Sequence, residues 1–239
     1  MWKNVFRIIG IFILGMGGGI FADQILWPHL IERPLFYKYR LAELPCEVTE
    51  VKKVVVSENT ALQEAVEKVK NVLVGVRTKT KKGKVLEGSG MIVTSDGLIV
   101  TLADLIPQGS KFSFYVEGKW VPFQILKRDL KNNLALIKVE KTGLSTVGFA
   151  DLSELKIGQR VFLLGIHFEK ERKPKKIVNE GIIKYFDSNG IYTNIFERSI
   201  LRGSPLFDIK GNVVGLSLIE AEGEVRAIPI SKIKTFIGL

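Results

Sequence analysis

The chain has 239 residues, of which 46% are hydrophobic and 25% charged. That balance excludes disordered and fibrous classes and suffices for one large core or two small ones. The formal net charge is +10, but no recognised nucleic-acid module or aromatic-basic interleaving accompanies it, so nucleic acid is not expected as a partner.

Ile8 to Ala22 is an unbroken run of apolar residues and glycines, preceded by Lys3 and Arg7 and followed by Asp23. It reads as a signal peptide or signal anchor inserted with its N-terminus in the cytoplasm. Extending the run from Val5 to Trp27, with Trp2 and Trp27 as interface residues, approaches the roughly 20 residues that a bilayer requires. Ile20-Phe21-Ala22 is an imperfect cleavage site, because Ile stands two places before Ala22 where a small residue is preferred. An uncleaved transmembrane anchor over residues 1–27 is therefore expected. Gly15 and Gly19 have the spacing that packs two such anchors together, although a glycine-rich apolar segment accounts for them as well.

Residues 28–57 read as a juxtamembrane connector in which Pro28, Pro34 and Pro45 interrupt any long helix. It holds Cys46, the single cysteine, so no disulfide forms within the chain. Ser57 or Asn59 can cap a short helix running through Val69, since Leu62, Val66 and Val69 share one face. From Val72 onward short apolar runs alternate with turn signals: Lys82-Gly83, Asp96-Gly97, Glu117-Gly118, Asn189-Gly190, Lys210-Gly211-Asn212 and Glu222-Gly223. Spacing of this kind predicts an all-β domain over residues 58–239 rather than βαβ units. His29 and His167 lack partners at metal-ligand spacing, and neither a metal nor a cofactor is expected.

Three segments carry the functional signal. Gly88-Ser-Gly-Met-Ile-Val-Thr-Ser-Asp-Gly-Leu-Ile-Val-Thr101 is a hairpin pattern running on into Leu102-Ala103-Asp104. Asp129-Leu-Lys-Asn-Asn-Leu-Ala-Leu-Ile-Lys-Val139 is the second, and Tyr192-Thr-Asn-Ile-Phe-Glu-Arg-Ser-Ile-Leu-Arg-Gly-Ser-Pro-Leu206 the third. Together with Gly211-Asn-Val-Val-Gly-Leu-Ser217 and Arg226-Ala-Ile-Pro-Ile230, these resemble the HtrA branch of the trypsin-like serine peptidases over roughly residues 58 to 236. The resemblance implies two packed antiparallel β-barrels, barrel 1 over about 58–148 and barrel 2 over about 151–230, with a C-terminal segment 231–239. No PDZ domain of the kind that many HtrA relatives append is expected after it.

The resemblance also assigns slots. Asp104 stands where the family has its general-base His, Asn133 where it has the orienting Asp, and Arg202 where it has the nucleophilic Ser. Serine acyl transfer needs a hydroxyl, a base with a pKa near working pH and a third group that holds the base. An Asp, with a reference pKa of about 3.9, is a poor base at neutral pH, and a guanidinium is no nucleophile. Ile200 replaces a family Gly in the oxyanion loop, and Ser204, in another Gly slot, is the only replacement nucleophile on offer. The leading expectation is a membrane-anchored pseudoprotease that binds a peptide or partner protein in the inter-barrel cleft through Asp104, Asn133, Ile200, Arg202, Gly203 and Ser204. Assembly with itself or with active homologues is compatible with that role. The alternatives are an active endopeptidase rearranged around Ser204, and an envelope adaptor whose basic surface holds anionic polymer or lipid. Asp104 and Arg202 are expected to meet as an ion pair, with Asn133 hydrogen-bonded to Asp104.

Overall fold

The computed structural model describes residues 2–25, 58–169 and 173–239 and divides into two units, with the boundary at Val55. In the N-terminal unit, α1 (Trp2–Phe21) has no buried residue and continues into a π turn over residues 22–25. Its 20 residues make about 30 Å of helix, the thickness of a bilayer's hydrocarbon core. The helix through Ile25 is thus long and apolar enough to cross a membrane. The expected connector, with His29 and Cys46, lies outside the described residues.

The second unit opens with α2 (Glu58–Val69), whose Ala65 and Val69 are buried, with Leu62 and Val66 packed against the same core. Seven strands follow: β1 (Leu73–Lys79), β2 (Val85–Ile92), β3 (Leu98–Leu102), β4 (Lys111–Val116), β5 (Lys119–Val121), β6 (Phe123–Asp129) and β7 (Leu134–Val139). They form one antiparallel sheet in the order β5-β4-β1-β2-β3-β7-β6. The first half is thus a half-barrel, with β5 and β6 left as separate edges where closure was expected. β8 (Arg160–His167), β9 (Lys175–Phe186), β10 (Ile191–Phe196), β11 (Pro205–Asp208), β12 (Val213–Ile219) and β13 (Glu224–Pro229) close into a six-stranded barrel. The C-terminal segment is helical: α3 (Ile230–Ile237) buries Ile230, Ile233 and Phe236 and ends on Gly238, whose φ of 84° closes the helix onto Lys234 O.

The Asp96-Gly97 signal works as its chemistry predicts. Gly97 takes φ 100°, and Val93 N–H bonds Leu98 O across the turn. Alternation along β8 and β11 then sorts side chains to two places. Leu163 and Leu206 join Val214, Val225 and Ala227 in the barrel's own core. Phe162, Leu164, Ile166 and Phe207 turn outward to join Met91, Leu102 and Ile106 of the half-barrel in one shared core. Two hydrogen bonds from Ser89 on β2 stitch that junction: its N–H donates to Arg202 O (2.8 Å), and its Oγ accepts from Ile166 N–H (2.9 Å).

Candidate functional site

Asp104, Asn133 and Arg202 converge. The register that pairs Leu102 with Leu134 sets the end of β3 beside the start of β7, and Ala103 N–H bonds Asn133 O at 3.1 Å. Asp104 sits on the single 3-10 turn Ala103–Leu105, and Asn133 on the turn before β7 with φ 53°, a left-handed conformation that Asn tolerates better than most residues. The Asn133 carboxamide grips Asp104 twice: Oδ1 accepts from Asp104 N–H (2.9 Å), and Nδ2 donates to Asp104 Oδ2 (3.0 Å). An Asp at 133 would lose the second bond and place one carboxylate against another.

Arg202 reaches across from the barrel. Its backbone is pinned by the Ser89 bond, and the next residue, Gly203, donates to Ser217 O at 2.9 Å. Its Nη2 forms an ion pair with Asp104 Oδ2, between side chains each about one third exposed (33% and 35%). Nε of Arg202 and Oδ1 of Asp104 are buried without a protein partner. The pair thus joins two residues 98 positions apart in the chain.

The loop before Arg202 is folded inward. Ser199–Leu201 forms a 3-10 turn in which Arg202 N–H donates to Ser199 O (3.2 Å) and Leu201 N–H to Arg198 O (3.1 Å). A backbone amide committed to its own turn is not free to stabilise an oxyanion. Half-buried Ile200 lies within that turn, where no positive φ is required of it. Ser204 is fully buried, and its Oγ faces Gly165 on β8, where an added Cβ would collide with it.

Arg202 lines two cavities. One of about 440 Å3 is bounded by Arg77, Glu87, Asp104, Leu105, Phe168 and Ile200. The other, of about 500 Å3, is bounded by Asn133, Lys131, Leu218, Ile219, Arg226 and Lys232. Among the described residues no cluster of His, Cys, Asp and Glu is placed to hold a metal, and His167 leaves Nδ1 without a protein partner. Sequence reasoning missed Ser89, whose role lies in one backbone and one side-chain bond to residues distant in the chain. It also did not single out Lys232, which is brought to the cavity only by the turn from β13 into α3.

The sequence profile of the trypsin-like peptidase domain matches residues 88–216. Among curated proteins, a probable periplasmic serine endoprotease DegP-like from Halomonas elongata is 27% identical over 139 residues, 54% of this chain and 28% of the relative. Its counterpart from Hahella chejuensis is 29% identical over 140 residues, again 54% of this chain and 29% of the relative. The rat serine protease HTR4 is 30% identical over 166 residues, 63% of this chain and 33% of the relative. The aligned region thus spans a third or less of each of these relatives.

Proposed function

We propose a function for this chain from one premise: the chain belongs to the trypsin-like peptidase domain family. It acts as a membrane-anchored, HtrA-like binding protein that holds a peptide or partner protein in the cleft between its halves without cutting it. The observation that carries this reading is the Asp104–Arg202 ion pair, which fills the places that a base and a nucleophile need, with Asn133 Nδ2 donating to the same carboxylate oxygen. The inward Arg202 amide removes an oxyanion donor as well.

The cleft retains what a binding site requires. Ser217 directs its N–H and C=O to Ser204 O and Gly203 N–H. Alternation on β12 turns the backbone of Ile219 to the same side, next to the 500 Å3 cavity it lines. An extended segment can add there as a strand. The rival reading, a nucleophile at Ser204, is disfavoured because that hydroxyl is buried against Gly165.

A fluorophosphonate probe and a casein assay test the reading on the purified full chain. Neither labelling nor cleavage is expected, and labelling that vanishes in Ser204→Ala would overturn it. The apolar helix and the periplasmic relatives support an exported domain, with Lys3 and Arg7 on the cytoplasmic side. Protease added to spheroplasts should digest the domain; digestion only after the inner membrane is permeabilised would reverse the orientation.

A further inference from the structure

The wall of the 500 Å3 cavity is unequal in charge. Lys131, Arg202, Arg226 and Lys232 line it against a single carboxylate, Glu220. Glu220 is already engaged, accepting from Arg226 Nε at 2.9 Å. Asp104 is paired with Arg202 and accepts from Asn133 Nδ2. The next carboxylates are tied to their own turns: Asp129 accepts from Asn132 N–H (3.0 Å) and Asn132 Nδ2 (2.6 Å), and Asp187 from the amides of Asn189 (2.7 Å) and Gly190 (2.9 Å). Among the described residues Lys131 has no ion-pair partner, and Lys232 donates to the carbonyl of Asn189 at 3.5 Å and lies near enough to Asp187 to help lower its pKa without forming an ion pair. Neither ammonium group is held in an ion pair, and both stand at the rim of a cleft whose walls concentrate their field.

Leu218, Ile219 and Ile228 add aliphatic surface to a lining that also holds Asn132, Asn133 and Asn189. A ligand matched to this wall carries carboxylates for the cations and short aliphatic side chains for the floor, on an extended backbone. We infer that the segment held in the cleft is an acidic peptide, its carboxylates read by Lys131 and Lys232. This rests on the reading of the cleft as a non-cutting peptide site and names the class of segment it takes. The strand edge at Ile219 beside these cations favours an extended peptide over a flat anionic surface, which would be met by exposed lysines elsewhere on the domain.

The test uses the detergent-solubilised full chain and three fluorescein-labelled decapeptides in which Val alternates with Glu, Gln or Lys, read by fluorescence anisotropy. The Glu peptide should bind at least about tenfold more tightly than the Gln peptide, with the advantage shrinking as salt rises. Lys131→Glu with Lys232→Glu should reverse the order, so that the Lys peptide binds best. Both residues sit at the surface rim, and an unchanged melting temperature checks that the fold survives. Equal binding of the Glu and Gln peptides, abolished in either case by Ile219→Pro, would overturn the acidic preference and leave the cleft reading standing. Binding of the Glu peptide that ignores both the charge reversal and Ile219→Pro, with the chain pelleting on phosphatidylglycerol vesicles, would overturn both and return the charge to the surface at large.

Discussion

The junction between the two halves and the cleft above it are built by opposite means. The junction is buried and set largely at backbone level: Ser89 N–H donates to Arg202 O and its Oγ accepts from Ile166 N–H, and a Cβ on Gly88 would meet Arg202 O at 2.6 Å and Leu105 Cδ1 at 2.5 Å. The cleft is set by side chains, since Asp104 and Arg202 touch through their tips and remain one third exposed. The halves are therefore fastened one layer below Asp104, Asn133 and Arg202. The side chains on display and the scaffold that displays them are separable in this molecule.

The largest expected effect comes from striking the junction. Gly203 has φ 72°, and a Cβ there would meet Ser89 O at 2.5 Å. Gly203→Ala should cost about 3 kcal/mol from backbone strain and crowding together, read as a lowered urea midpoint. A cost equal to that of Arg202→Ala would break the contrast between layers. Ser89→Ala comes next. It leaves the buried Ile166 N–H without its acceptor, a loss of about 1 to 3 kcal/mol, whereas Ser89→Thr tests whether the hydroxyl alone is needed.

The ion pair should matter less. A double-mutant cycle on Asp104→Ala and Arg202→Ala should give a coupling of about 1 kcal/mol or less, declining in salt, because exposure screens the charges. A coupling above about 3 kcal/mol would place the pair with the junction instead. The smallest effect concerns the turns that bound the halves. Lys138 holds the Asp96 carboxyl below its usual value of 3.8, and the amides of Asn132, Ser153 and Gly190 do the same for Asp129, Asp151 and Asp187. Their folded pKa values lie below the unfolded ones, so the stability they contribute is complete above about pH 5 and is lost as pH falls past 3.8 through the lower folded values. Near-ultraviolet circular dichroism against pH should show this as a single transition below pH 4, since the shared core couples the halves.

Much of this architecture was legible because it is local. Glu117-Gly118 and Lys210-Gly211-Asn212 do form turns, with positive φ at Glu117, Gly118 and Gly211, since such dipeptides carry their own backbone preference. The meeting of Asp104, Asn133 and Arg202 was legible because strand and turn patterns kept them in register. Other features depend on partners distant in the chain. Whether β5 reaches β6 is decided by how far the sheet coils, which no short pattern records. Ile230, Ile233 and Phe236 do carry a helical period in the last segment, and that signal went unread because eight residues make too short a window against the strand rhythm before them. Ser89 left no trace, because its partners lie 77 and 113 residues away.

A half-barrel that stays open has two rows of backbone groups facing outward, which in another sequence would template growth onto a neighbouring chain. Here each edge is spoiled differently. β5 is three residues long and begins with Lys119. β6 breaks register between Ile125 and Lys127, then presents Lys127 and Arg128; Lys127 Nζ reaches over Phe236 of α3 to that residue's carbonyl at 3.2 Å. The C-terminal helix thus serves as a guard as well as a plug, and a chain shortened before Ile230 should show its first fault as self-association along β6 rather than as loss of the cleft.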